Sequence, residues 1–190
     1  MNSASSSSET NGRLILVVGP SGVGKDSLID EARIAFRDDP RYVFVRRVVT
    51  RKASTDSEDH DSLDEAAFVD AEKRGLFALT WRAHGLCYGL PMAMRSQLAK
   101  GHTVIANISR SVVDQAECLC PHVTLLNLTA DPAILAARIA QRGREQPADI
   151  AKRISRDSAI HARKARIVTI ENNTELQEAA ALFIEAIRTA

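Results

Sequence analysis

The chain lacks three things at once: an apolar run long enough to span a membrane, an even set of cysteines, and any real excess of charge. A bilayer-crossing helix needs ~20 consecutive apolar residues, and no stretch approaches that length. Cys87, Cys118 and Cys120 are the only cysteines, so no even disulfide framework can be drawn, which fits a reducing compartment. With 25 basic against 24 acidic residues, a net charge of +1 argues against a dedicated binder of nucleic acid or of a membrane surface. Residues 1–12 hold the serine run Ser5 to Ser8 and no apolar segment of signal-peptide type, so they read as a disordered tail. The expectation is a cytoplasmic protein, monomer or homodimer, with one domain over 13–190. Cys118, Cys120 and His122 alternate, and a strand would place them on one face as zinc ligands. Pro121 interrupts them and no fourth ligand is in sight, so ordinary packing is expected.

Against that plain background one stretch stands out, Gly19-Pro20-Ser21-Gly22-Val23-Gly24-Lys25-Asp26-Ser27. The apolar run Leu14 to Val18 before it reads as a buried strand, and the spacing of Leu28, Ile29, Ala32 and Ile34 after it is helical. Strand, glycine loop and helix is the context in which GxxxxGK cradles a polyphosphate. Glycine lets backbone N–H groups turn inward, the helix presents its positive end, and the lysine reaches the outer phosphates. Asp26 stands where a Ser or Thr hydroxyl would usually meet Mg²⁺. A carboxylate is also a hard oxygen ligand, so Asp26 is a metal candidate; helix capping is the plainer alternative, with Ser27 keeping a hydroxyl next door.

Further along, Tyr42 to Val49 has the β-branched character of a strand yet carries Arg46 and Arg47. Thr50-Arg51-Lys52 extends the basic patch, and Glu58, Asp59, His60 and Asp61 follow at once. A solvated loop of mixed charge is the plainer alternative, but so many cations beside carboxylates suggest arginine contacts to phosphate on one side and hydroxyl or metal contacts from the carboxylates on the other. Ser62-Leu63-Asp64-Glu65 reads as a capping box for a helix to Lys73, stopping at Gly75. Leu76 to Trp81 and Leu86 to Gly89 read as paired strands around a turn at Gly85, and Pro91 as the first residue of a helix to Gly101. These parts, at about 50–90, form a small inserted lobe in which Tyr88 is either core or a phosphate donor.

Thr103 to Ile108 is a buried strand whose carboxyl end, by the general rule for open α/β sheets, faces the ligand crevice. Asn107, Ser109 and Arg110 are therefore substrate candidates, with N-capping near Ser111 the alternative for Ser109. A strand at His122 to Leu128 precedes a helix started by Asp131-Pro132 and carrying Arg138. Arg142, Arg144, Arg153 and Arg156 then recur on a hinge at about 142–150 and the helix after it, which suggests an arginine-rich closing lid. A last strand at Arg166 to Ile170 and a helix capped by Thr174-Glu175-Leu176-Gln177 complete the chain.

This order of parts resembles the guanylate kinase branch of the P-loop kinases, through Gly19 to Lys25, Thr50-Arg51-Lys52, Gly75-Leu76-Phe77 and Gly85-Leu86-Cys87-Tyr88-Gly89. It departs where that branch reads guanine: Leu79 occupies the place of a base-binding glutamate, and Asn107 and Ser109 replace aspartates. The departures, with Lys25-Asp26-Ser27-Leu28, Glu58-Asp59-His60, Phe77 to Trp81, Ala83-His84-Gly85-Leu86 and Ser109-Arg110, resemble the ribose 1,5-bisphosphate phosphokinases of phosphonate degradation. The resemblance implies an α/β P-loop kinase fold in three layers with a central parallel sheet. It further implies ATP and Mg²⁺ as cofactors and a sugar phosphate as acceptor. Gly19 to Ser27 would hold ATP, Lys25 with Arg138, Arg142 and Arg153 would neutralise the transferring phosphoryl group, and Asp26 would hold the metal. Arg46, Arg47, Arg51 and Tyr88 suit the sugar's phosphates, while Glu58, Asp59, His60, Asn107, Ser109 and Arg110 complete the acceptor site. Two other readings compete: a nucleoside monophosphate kinase with altered base choice, and an inactive guanylate kinase-like binding module. An intact Gly24-Lys25 and an arginine-rich lid speak against the module.

Overall fold

The computed structural model describes residues 12–51, 60–83, 85–141 and 160–190. Residues 1–11 of the expected tail, Glu58 and Asp59, and the expected lid with Arg142, Arg144, Arg153 and Arg156 lie outside the described residues. In chain order the elements are β1 (Arg13–Val18), α1 (Lys25–Ala35), β2 (Tyr42–Phe44), β3 (Arg47–Val49), β4 (His60–Ser62), α2 (Glu65–Lys73), β5 (Phe77–Ala83) and β6 (Leu86–Pro91). They continue with α3 (Ala93–Ala99), β7 (Thr103–Asn107), α4 (Val113–Ala116), β8 (Val123–Thr129), α5 (Pro132–Gln141), β9 (Arg166–Glu171) and α6 (Leu176–Arg188).

β1 lies in the middle of a five-stranded sheet of order β2-β7-β1-β8-β9, and every pairing in it is parallel. A parallel sheet is covered on both faces, which is why β1 is a continuous apolar run instead of an alternating one. Leu14, Leu16 and Val18 face one core with Leu98 of α3, and with Val113 and Ala116 of α4. Ile15 and Val17 face the other, with Leu28 and Ala32 of α1, Leu135 of α5, and Phe183 of α6. Helices, sheet and helices make the three layers. Each fully buried Leu or Ile contributes roughly 1.5–3 kcal/mol, so the strand that carries the phosphate loop is among the best-held parts of the molecule.

A second sheet, of order β4-β3-β6-β5, is built from residues between Arg47 and Pro91. The run Tyr42 to Val49, expected as one strand, is divided between the two sheets. Its first part, β2, pairs parallel with β7, whereas β3 pairs antiparallel with β6. The Val45 N–H still bonds the Ile105 carbonyl at 2.8 Å, and the chain changes sheet at the exposed Arg46. Strand propensity is uniform along the run; the available partners are not.

Several helix ends differ from expectation. Ser62 belongs to β4, and Asp64 is the N-cap of α2, its carboxylate accepting from the Ala67 N–H at 2.7 Å. Pro91 closes β6 opposite Phe77, so α3 starts at Ala93. Glu175 is the N-cap of α6 without a side-chain capping bond. Cys118 lies exposed in a 3₁₀ turn at Glu117–Leu119, while the buried Cys120 Sγ points at the carbonyls of Gly12 and His122. The alternation that would align zinc ligands is thereby broken, and no group of three or more His, Cys, Asp or Glu side chains placed to hold a metal forms among the described residues. Among the same residues no helix is long and apolar enough to cross a membrane.

The approach to β9 is held by Glu117, only 5% exposed, whose carboxylate accepts the backbone N–H groups of Arg163, Lys164 and Ala165 at 2.6–3.1 Å. Burial pushes its pKa up, but the three N–H donors and the Lys164 charge outweigh that and hold it below the ordinary carboxylate value.

Candidate active site

The phosphate loop leaves the carboxyl end of β1 and enters α1 through Gly24, the helix N-cap, at φ 86°. Gly22 has φ 80°, and a Cβ there would stand 2.8 Å from Ile139 Cγ1 of α5. Both positions need glycine, one for helix entry and one for close packing as well. Lys25 lies back across the loop, its Nζ donating to the carbonyls of Gly19 at 2.6 Å and Pro20 at 2.8 Å. The ammonium and the N-terminal N–H groups of α1 thus concentrate positive charge at the loop, the arrangement that receives a polyphosphate.

Asp26, in the first turn of α1, is where the two sheets meet. Asn107 at the end of β7 donates Nδ2 to Asp26 Oδ1 at 3.1 Å, and Arg47 Nη2 of β3 stands 3.9 Å from the same oxygen. The Asp26 side chain is 42% exposed and that of Arg47 only 19%, so the carboxylate is held by its neighbours yet open to a ligand. A cation shared between Asp26 and phosphate oxygens fits this donor set, because Mg²⁺ needs only one or two carboxylates beside substrate phosphates.

His60 is buried beside this cluster, and burial first, then the positive charges of Arg51, Arg47 and Arg46, pull its pKa below the ordinary imidazole value, opposed by Asp26. Arg46 donates to the His60 carbonyl at 3.2 Å and pairs with Asp61 at 3.2 Å. Tyr88 stacks on Trp81, ring centres 5.3 Å apart and nearly parallel, so its ring is held by the core while the residue stays partly exposed. Arg51 is exposed at the end of the described part of the basic patch.

On the other flank, Arg110 is buried and donates Nη2 to Asn127 Oδ1 at 3.0 Å. Asn127 is paired in register with Val18, the last residue before the loop, so the guanidinium lies beside the carboxyl ends of β1 and β8. Burial lowers the Arg110 pKa from its ordinary high value. Ser109 caps the following 3₁₀ turn, accepting from the Ser111 N–H at 3.3 Å. Arg138 of α5 donates Nη1 to the Asn172 carbonyl at 3.0 Å.

The structure therefore gathers Lys25, Asp26, Arg47, His60 and Asn107 around the loop, with Arg110 and Arg138 on its flanks. Leu79, 8% exposed, belongs to the core under the second sheet and offers no hydrogen-bond acceptor there. Sequence reasoning missed Asn127, two residues before the end of β8, and Asn172, just past the end of β9. The rule that ligands meet the carboxyl ends of parallel strands, applied above to β7 alone, would have flagged both.

No protein-family model matches the sequence. The chain is 49% identical over 177 residues to a ribose 1,5-bisphosphate phosphokinase of Methylobacterium radiotolerans, covering 93% of this chain and 98% of that one. It is 43% identical over 173 residues to a ribose 1,5-bisphosphate phosphokinase of Brucella melitensis, covering 91% and 90%. Among solved structures, guanylate kinase from Anaplasma phagocytophilum superposes with a TM-score of 0.67 over 94% of this chain and 85% of that one, at 18% identity. That likeness concerns the fold alone.

Proposed function

The chain belongs to the ribose 1,5-bisphosphate phosphokinase family, and on that premise we propose that it transfers the γ-phosphoryl group of ATP, with Mg²⁺, to the 1-phosphate of ribose 1,5-bisphosphate. The products are 5-phosphoribosyl 1-diphosphate and ADP. An oxygen of the acceptor's 1-phosphate attacks the γ-phosphorus, and the bond to the β–γ bridging oxygen breaks, leaving that oxygen on ADP. The nucleophile is already an anion, so no general base is required. Catalysis then consists of alignment and charge neutralisation.

The observation that carries this reading is the meeting of Asn107 and Arg47 on Asp26, which brings the phosphate cradle and the arginine strand of the second sheet to one point. Lys25 and the N-terminus of α1 supply the positive field for the β- and γ-phosphates. Bound Mg²⁺ would neutralise phosphate oxygens from the Asp26 side. Arg47 of β3 and Arg51 just past it suit the acceptor's phosphates, and Asn107 suits its hydroxyl groups. Arg138, and Arg142 and Arg153 outside the described residues, would complete the neutralisation. Leu79 supports a sugar bisphosphate over a guanine nucleotide, since a buried guanine edge facing leucine would leave its donors unpaired at ~1–3 kcal/mol.

The deciding experiment is a steady-state panel with ATP and Mg²⁺, comparing ribose 1,5-bisphosphate with GMP, AMP and UMP. We expect ribose 1,5-bisphosphate to have by far the highest kcat/KM. Should GMP prove the better acceptor, the nucleoside monophosphate kinase reading takes its place; turnover of none of the four would favour the inactive binding module.

A further inference from the structure

Asn172 stands one residue past β9, is 3% exposed, and commits its side-chain donor to the phosphate loop: Nδ2 donates to the Val23 carbonyl across 2.7 Å. Its backbone N–H donates to the Thr129 carbonyl at 2.7 Å, and its own carbonyl accepts from Arg138 Nη1 at 3.0 Å. A single residue, anchored on the end of β8, thus grips both the loop and α5. Among the described residues every peptide bond is trans. The Val23–Gly24 unit is therefore planar with its C=O and N–H on opposite sides. Tethering the Val23 oxygen to a buried amide turns the Gly24 N–H away from the interior, toward the partly exposed side of the loop.

This matters because of what the loop is made of. Glycine on the far side of that peptide tolerates either orientation, so Gly22-Val23-Gly24 has little intrinsic reason to hold its N–H outward. Phosphate recognition by such a loop depends on those N–H groups being aimed before the anion arrives. The packing is close as well, since a Cβ on Gly24 would stand 2.7 Å from Asn172 Nδ2. Asn172 Oδ1, meanwhile, is buried with no hydrogen-bond partner among the described residues. An apolar residue would avoid that cost, and what asparagine adds in exchange is the bond to Val23.

We infer that Asn172 is a positioning residue, which holds the Val23–Gly24 peptide in the orientation that aims the Gly24 N–H at the nucleotide's phosphates and links that peptide to Arg138. The inference rests on the phosphate-loop part of the proposed function and is independent of the acceptor's identity.

The test uses Asn172→Asp, an isostere whose carboxylate cannot donate to the Val23 carbonyl, and Asn172→Ala, which removes the contact without adding a charge. ADP binding is measured by calorimetry without acceptor, alongside the melting temperature and the Gly24 amide resonance in ¹H–¹⁵N spectra. The expected result is an ADP Kd raised about tenfold or more in Asn172→Asp and several-fold in Asn172→Ala. The Gly24 amide should shift in both, with the acceptor KM little changed. If Asn172→Asp does not fold, the folded Asn172→Ala decides. A lowered melting temperature with ADP affinity within about twofold of wild type and an unmoved Gly24 amide would show a merely structural role and overturn the inference. Failure of the wild type itself to bind ADP would instead overturn the proposed function on which it rests.

Discussion

Asn107 Nδ2 donates to Asp26 Oδ1 across 3.1 Å, so the carboxyl end of β7 holds the first turn of α1 although the two residues are 81 positions apart. Asp26 is thereby aimed by the central sheet and flanked by Arg47 of the second one. If this carboxylate serves the metal, Asp26→Asn should raise the Mg²⁺ concentration needed for half activity, and Asp26→Ser should recover part of the loss by supplying a hydroxyl. Asn107→Ala, which leaves the carboxylate in place but unaimed, should raise it by roughly tenfold, as partners of metal ligands commonly do. Unchanged Mg²⁺ titrations in Asp26→Asn would leave Asp26 only as a favourable negative charge in the first turn of α1.

Lys25 bridges the carbonyls of Gly19 and Pro20 and so helps to close the loop as well as to charge it. Lys25→Ala is expected to lower kcat by on the order of 10²-fold or more, because the ammonium neutralises charge that develops during transfer. The melting temperature should change little, since Lys25 is only partly buried. Turnover above about a tenth of wild type would contradict the role.

Arg47 and Arg51 differ in exposure, and their variants should differ accordingly. Arg51 is exposed just past β3, where an acceptor phosphate can reach it, so Arg51→Ala should raise the acceptor KM or lower kcat while ADP affinity survives. Arg47, 19% exposed and near Asp26, should when replaced by Ala affect the acceptor KM and the Mg²⁺ requirement together. Identical kinetic profiles for the two variants would argue against this division.

Glu117 provides a pH-dependent contribution to stability. Its carboxyl is held below the ordinary value in the folded protein, so its stabilisation is complete above the unfolded value of about 4.5 and is lost as pH falls through the folded one. Glu117→Gln turns an amide toward a set of N–H donors and should destabilise the protein by ~2 kcal/mol at neutral pH. Denaturant titrations should show the gap between variant and wild type narrowing below pH ~4.5; a gap independent of pH would mean that the charge contributes nothing.

The phosphate loop, the buried strand before it and the amphipathic helix after it were legible in the sequence because each depends on neighbours within a few residues: glycine at positive φ, lysine at helix entry, apolar spacing. The same holds for the pairing of β5 with β6 around the turn at Gly85 and for the candidacy of Asn107, which follows from its place at a strand's end. Helix starts were less legible, since Asp64 and Ser62 are both good caps and only the pairing of Ser62 with Val49 in β4 decides between them.

By itself, then, the sequence determined the kind of chemistry, through residue types and spacings that act locally. The tertiary structure alone decided which distant side chains share in it. Nothing within Tyr42 to Val49 indicates that the run must change sheets at Arg46, because that depends on β7 and β6 offering separate edges. Nothing near Val23 points to Asn172, 149 positions away. Contacts of that separation are set by the stacking of parallel strands, which brings residues just past their carboxyl ends into one plane whatever their order in the chain.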